Sequence, residues 1–172
     1  QCKLELKSCS FIENEYSPDG SAIGVIQEIG TNSLILDIDS CLFSKHKNSG
    51  SGVLLFLLNE SYINIYNSTF SENIFTTPLP TFGSCIVIYG YSNFNKLTAT
   101  NCRFNNSLLK APSILFATLQ AELEFINCTF TSNDNLRGVI YFTSALPQAT
   151  FTNSIFNQNT LNNNGKLFSI GG

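Results

Sequence analysis

The sequence predicts an all-β solenoid, a parallel β-helix of about six coils with three short strands in each. Three observations predict it. An eight-residue phrase, apolar-x-apolar-x-Asn/Ser-Cys/Ser-x-Phe, returns six times along 172 residues. An aliphatic run follows each copy, and no stretch between copies carries helical periodicity. Self-similarity at a period of roughly 25 to 35 residues marks stacked supersecondary units that bury a face only against their neighbours.

The copies run from Leu4 to Phe11, Leu36 to Phe43, Ile63 to Phe70, Leu97 to Phe104, Leu123 to Phe130 and Ala149 to Phe156. Within the first, Leu4 and Leu6 alternate with Glu5 and Lys7, the signature of a strand with one buried face. Ser8 breaks the alternation, and Cys9 and Phe11 take up the inward face again. Four later copies place Asn67, Asn101, Asn127 or Asn153 at the break. Asparagine tolerates the left-handed backbone that a sharp bend between strands needs. Each phrase therefore reads as strand, bend, short strand.

A Gly or other small residue then leads into the aliphatic run, around Gly20 to Val25, Gly52 to Phe56, Gly83 to Ile88, Ser113 to Phe116, Gly138 to Phe142 and Gly165 to Ile170. From Leu54 to Phe70, Ile114 to Phe130 and Ile140 to Phe156 the distance is 16 residues each time. That constancy predicts three strands per coil, with insertions confined to corners. Coils about 4.8 Å apart would make a rod roughly 29 Å long. Equivalent residues then form columns, one of them six phenylalanines deep: Phe11, Phe43, Phe70, Phe104, Phe130 and Phe156.

Composition fits a stack. Charged residues are 12% of the chain, about half the usual share, while Asn, Ser and Thr number 21, 20 and 14. Like charges facing each other at strand spacing repel, and uncharged polar residues avoid this. A net charge of −3 leaves no broad basic surface, so nucleic acid is not an expected partner. No run of 18 apolar residues occurs, so no membrane-spanning helix is expected. Methionine is absent, and the chain opens on a repeat strand and closes at Ile170-Gly171-Gly172. The expectation is one β-helix domain over 1–172 that is a fragment or repeat unit of a longer chain.

Six cysteines, an even count, point to an oxidising compartment and make Cys2, Cys9, Cys41, Cys85, Cys102 and Cys128 disulfide candidates. Cys9, Cys41, Cys102 and Cys128 share one column position, where neighbours about 4.8 Å apart lie within disulfide reach. An inward column of reduced side chains beside the phenylalanines is the competing reading. Zinc is disfavoured, because no two cysteines are separated by the two to four residues of zinc sites and there is one histidine. That histidine, His46, falls in a turn and is expected to be solvated. Sequons for N-glycosylation occur at Asn59, Asn67, Asn105 and Asn127. Asn59 ends an aliphatic strand and Asn105 follows an inward Phe, so both are expected to face solvent. Asn67 and Asn127 stand in the bend column, where the turn can tie up their amides.

The segments Phe11-Ile12-Glu13-Asn14, Phe70-Ser71-Glu72-Asn73, Phe130-Thr131-Ser132-Asn133 and Phe156-Asn157-Gln158-Asn159 resemble the FxxN half of the repeats in polymorphic outer-membrane-protein adhesins. Gly20-Ser21-Ala22-Ile23 and Gly83-Ser84-Cys85-Ile86 resemble the GGAI half. The Asn-, Phe- and Ile-rich composition is similar to large right-handed β-helix surface proteins of unicellular eukaryotes. His46 and Ser107 break FxxN in the second and fourth coils. The resemblance implies a right-handed β-helix at the cell surface or outside the cell, with adhesive or structural roles, no cofactor and no catalytic residue.

An enzyme of this fold acting on polysaccharide would need clustered carboxylates, as a calcium site or an acid/base pair. Glu5, Asp37 and Asp39, outward on the first strands of two coils, are the candidates for such a carbohydrate-binding or degrading site. Lys7 beside Asp39 makes an ion pair on a solvated face the simpler reading. Flat Thr columns for ice binding, Thr98 with Thr100 and Thr150 with Thr152, are interrupted by Glu124 and Asn64. The expectation is a non-catalytic extracellular module of a fibre or coat, whose partners are other copies stacked head to tail, flanking coils, or glycans. If the module binds a ligand, the insertions Ile74 to Phe82 and Glu15 to Asp19 are the place to seek it, and tolerated surface loops are the simpler reading of both.

Overall fold

The computed structural model describes residues 2–16, 22–26, 33–48, 53–58, 60–75, 85–90, 95–109, 115–118, 121–135, 140–142, 148–161 and 168–170. They are all-β, with no helix among them. The chain visits four parallel six-stranded sheets in turn, so that every fourth strand is a neighbour. The first sheet holds Cys2–Lys7, Leu34–Asp39, Ser61–Tyr66, Asn95–Thr100, Ala121–Ile126 and Gln148–Thr152. The second holds Ser10–Ile12, Leu42–Ser44, Thr69–Ser71, Arg103–Asn105, Thr129–Thr131 and Ile155–Asn157. Glu15–Tyr16, Lys47–Asn48, Ile74–Phe75, Leu108–Leu109, Asp134–Asn135 and Thr160–Leu161 form the third, and the fourth takes up the aliphatic runs, from Ile23–Ile26 to Phe168–Ile170. Each repeat thus has four strands rather than the expected three. The additional one is two residues long, too short to leave a periodicity in the sequence.

Two left-handed bends shape every repeat. Ser8, Ser40, Asn67, Asn101, Asn127 and Asn153 have φ between 49° and 55°, where the phrase predicts them. A second set, Glu13, Lys45, Glu72, Asn106, Ser132 and Gln158, has φ between 53° and 59°. A residue with a Cβ gives up about 1 to 2 kcal/mol in this conformation. What holds it there is the neighbouring repeat. The N–H of Ser40 donates to Tyr66 O at 3.0 Å, that of Lys45 to Ser71 O at 3.0 Å, and that of Asn127 to Thr152 O at 2.9 Å. The bends therefore continue the ladder instead of interrupting it.

Inside, the six phenylalanines stack face to face. Ring centroids are 5.0, 4.8, 5.0, 4.9 and 4.7 Å apart from Phe11 to Phe156, with planes within 9° of parallel. Phe43, Phe70, Phe104 and Phe130 are buried, beside Leu36, Ile38, Ile63, Ile65, Leu97 and Leu123. Phe125 and Phe151 add a second stack, 5.1 Å apart. Phe125 meets Phe104 and Phe130 edge-on, where the strand before it carries the small Ala99.

Candidate functional site

The first sheet is in register, and strand alternation sends one side of each strand outward. Down its centre run Glu5, Asp37, Asn64, Thr98, Glu124 and Thr150. The stacking of Glu5 on Asp37 brings two carboxylates to neighbouring positions, and lysines neutralise both. Lys3 Nζ is 2.9 Å from Asp37 Oδ2, and Lys7 Nζ is 2.8 Å from Glu5 Oε1. Lys7 is the register neighbour of Asp39 but pairs with Glu5. Asp39 Oδ1 instead accepts from Ser40 Oγ at 3.1 Å and from Asn67 Nδ2 at 3.0 Å. Hydrogen bonding from Lys7 holds the Glu5 carboxyl below the usual carboxylate range, and hydrogen bonds from Lys3 and Asn64 do the same for Asp37. General-acid work needs a carboxyl kept protonated. These two are held ionised.

Farther along the same face, Tyr62 and Tyr66 project to solvent in the middle of the sheet, and Lys96 bridges Glu122 at 2.9 Å and Glu124 at 3.5 Å. At its edge the bend residues join in an exposed amide ladder. Asn101 Nδ2 donates to Asn67 Oδ1, and Asn127 Nδ2 to Asn101 Oδ1, each at 3.2 Å. The sequons Asn67 and Asn127 are thus exposed, with their amides in this outward ladder. Asn105, expected to face solvent, is half-buried, with Oδ1 enclosed and without a hydrogen-bond partner among the described residues. Asn59 lies outside the described residues, as does most of both insertions.

His46 overturns its expected place. It is fully buried, at the inward position that Asn14, Asn73 and Asn133 hold in other repeats, and hydrogen bonds to the backbone of Asn14 and Phe11. Burial still pushes its imidazole below the ordinary value. Position in the repeat has overruled polarity. The asparagines of this column explain FxxN physically. Asn133 Oδ1 accepts the Ser107 N–H at 3.1 Å while Nδ2 donates to Phe104 O at 2.9 Å, and Asn159 makes the same bridge to Asn133 N and Phe130 O at 3.1 and 2.8 Å.

All six cysteines are thiols. Cys85 is buried and its thiol is pushed up to about 12 by loss of solvent. Among the described residues, no group of three or more His, Cys, Asp or Glu side chains could hold a metal ion. No helix among them is long and apolar enough to cross a membrane.

Sequence reasoning also missed an open groove of about 630 Å³ where the second bend meets the third sheet, lined by Glu13, Lys45, Glu72, Lys47, Ile74 and Leu108 among others. Lys45 sits 3.4 Å from Glu13. The signal was present in the second variable letter of FxxN, which alternates in charge as Glu13, Lys45 and Glu72 over the first three repeats. Measured against known proteins, the chain matches no family model and no curated protein.

Proposed function

We propose that the chain is a right-handed parallel β-helix serving as a non-catalytic structural or adhesive module of an extracellular fibre or surface coat, extended end to end or within a longer array. The observation that carries this reading is the ring stack and the bend hydrogen bonds that repeat between every two neighbouring repeats. Asn73, Asn133 and Asn159 add a backbone bridge at three of these steps. In the sixth repeat Asn159 and Phe156 present the backbone groups that a following asparagine bridges, and in the first repeat Asn14 is such an asparagine, exposed. A contact between the last repeat of one copy and the first of the next is heterologous and does not close, which yields filaments. The FxxN resemblance to polymorphic outer-membrane-protein adhesins supports a surface location under the same proposal.

Sedimentation velocity and negative-stain electron microscopy of the 172-residue chain test it. Linear polymers are expected, growing with concentration. A stable monomer at high concentration with no filaments refutes end-to-end assembly. A polysaccharide-degrading site at Glu5, Asp37 and Asp39 is the second reading, and the ion pairs that hold Glu5 and Asp37 charged weigh against it.

A further inference from the structure

One column of the interior mixes cysteine and serine. Down the six repeats it reads Cys9, Cys41, Ser68, Cys102, Cys128 and Ser154, in register through bonds such as Leu42 N–H to Cys9 O and Thr129 N–H to Cys102 O, both 2.9 Å. Where the column holds serine, the hydroxyl caps a backbone N–H: Ser68 Oγ accepts from Cys41 N at 3.1 Å, and Ser154 Oγ from Cys128 N at 3.2 Å. The thiols donate one repeat back, Cys102 Sγ to Ile65 O at 3.4 Å and Cys128 Sγ to Ala99 O at 3.3 Å, as Ser154 Oγ does to Phe125 O at 3.3 Å. Serine fits the column wherever it occurs. Cysteine occurs there only in adjacent twos.

We infer that Cys9 with Cys41, and Cys102 with Cys128, are repeat-to-repeat disulfide sites, while Cys2 and Cys85 stay thiols. Neighbouring parallel strands stand about 4.8 Å apart, inside the Cα range that disulfides accept, whereas a bond skipping Ser68 would span about 9.6 Å, outside it. That removes Cys41 with Cys102. Cys102 and Cys128 perturb each other's thiol ionisation, and Cys9 perturbs that of Cys41, as close neighbours in one column do. The other two cysteines have no such neighbour. Cys2 pairs in register with Leu34. Cys85 precedes Ile86, whose neighbour is Leu54, so that Val53 stands beside it, and its thiol lies 3.9 Å from Ser107 Oγ.

Closing each bond breaks two S–H bonds and forms one S–S bond. The two electrons pass to a small disulfide oxidant such as glutathione disulfide, which leaves as two thiols that take up the protons. Access separates the two sites. Cys9 is half-buried, while Cys102 and Cys128 are fully enclosed. The outer bond therefore exchanges in the folded protein, and the inner one closes during folding or on local opening.

The reduced chain refolded in a glutathione and glutathione disulfide buffer, then alkylated in denaturant and mapped by peptide mass without reduction, should show these two linkages and alkylation of Cys2 and Cys85. Glutathione disulfide added to the folded reduced chain should link Cys9 to Cys41 faster than Cys102 to Cys128, by on the order of tenfold or more. Cys9→Ser and Cys102→Ser, which install the residue the column carries at Ser68 and Ser154, should each abolish one linkage and keep the other. Six alkylated thiols after oxidative refolding, or any linkage that includes Cys2 or Cys85, overturns the inference.

Discussion

Asparagine recurs in two columns of the molecule, and it does opposite things in them with the same side chain. Asn67, Asn101 and Asn127 occupy the first bend, lie in solvent and hydrogen-bond one another. Asn73, Asn133 and Asn159 point inward after the second bend and bond the backbone of the preceding repeat, at 3.3, 2.9 and 2.8 Å to the carbonyls of Phe43, Phe104 and Phe130. Water competes for every bond of the outer column. At the buried members of the inner column, Asn73 and Asn133, no water is available to replace a lost partner, so removing an amide leaves a buried N–H and a buried C=O unsatisfied. Backbone conformation is what the outer asparagines supply, and satisfied hydrogen bonds are what the inner ones supply.

The inner column leans on the phenylalanine stack whose carbonyls it bonds, so the largest loss is expected there. Phe104→Ala should lower stability by about 3 to 5 kcal/mol in urea unfolding, because the cavity opens between rings that stack on both sides. Next comes Asn133→Ala. It strands the Ser107 N–H and the Phe104 carbonyl, at about 1 to 3 kcal/mol for each group. A loss under about 0.5 kcal/mol would mean that the inner bridge contributes no more than a surface contact.

His46 is the one titratable member of the inner column, and it gives the comparison a pH axis. Its folded value is lowered by burial, so the unfolded chain binds the proton more readily. Stability from this site is complete above the ordinary imidazole value near 6.5 and declines as pH falls through it toward the lower folded value, with a slope of at most about 1.4 kcal/mol per unit. His46→Asn restores the residue found in other repeats and should flatten that slope. Parallel unfolding curves for the two proteins between pH 7 and 5 would show that the imidazole is not shielded.

The repeat phrase made the first sheet, the first bend and the phenylalanine stack legible, because alternation and a left-handed asparagine leave local marks. The second bend left none. Glu13, Lys45 and Gln158 have no preference for positive φ, and they adopt it because N–H groups such as those of Glu13 and Lys45 have partners waiting in the next repeat, at 3.0 Å each. His46 was misplaced for a related reason. A polar residue near a turn reads as solvated unless the column it belongs to is known. The candidate carboxylates were located correctly on the outward face, but the sequence could not say that Lys7 would choose Glu5 over Asp39, a choice between rotamers of a long exposed side chain.

The smallest effect is expected in the outer column, and it is the one that isolates conformation from hydrogen bonding. Asn101 sits at φ 55° and links Asn67 to Asn127 in the exposed ladder. Asn101→Gly removes both amide bonds but keeps the bend, since glycine reaches positive φ without a steric penalty. The change should fall within about 0.5 kcal/mol of the parent, as exposed substitutions do. Asn101→Ala removes the same bonds and adds the left-handed penalty of about 1 to 2 kcal/mol. The difference between the two variants in urea unfolding therefore measures the strain alone. If glycine and alanine destabilise equally, the outer asparagines are held by their ladder and not by their conformation, and the contrast between the two columns collapses.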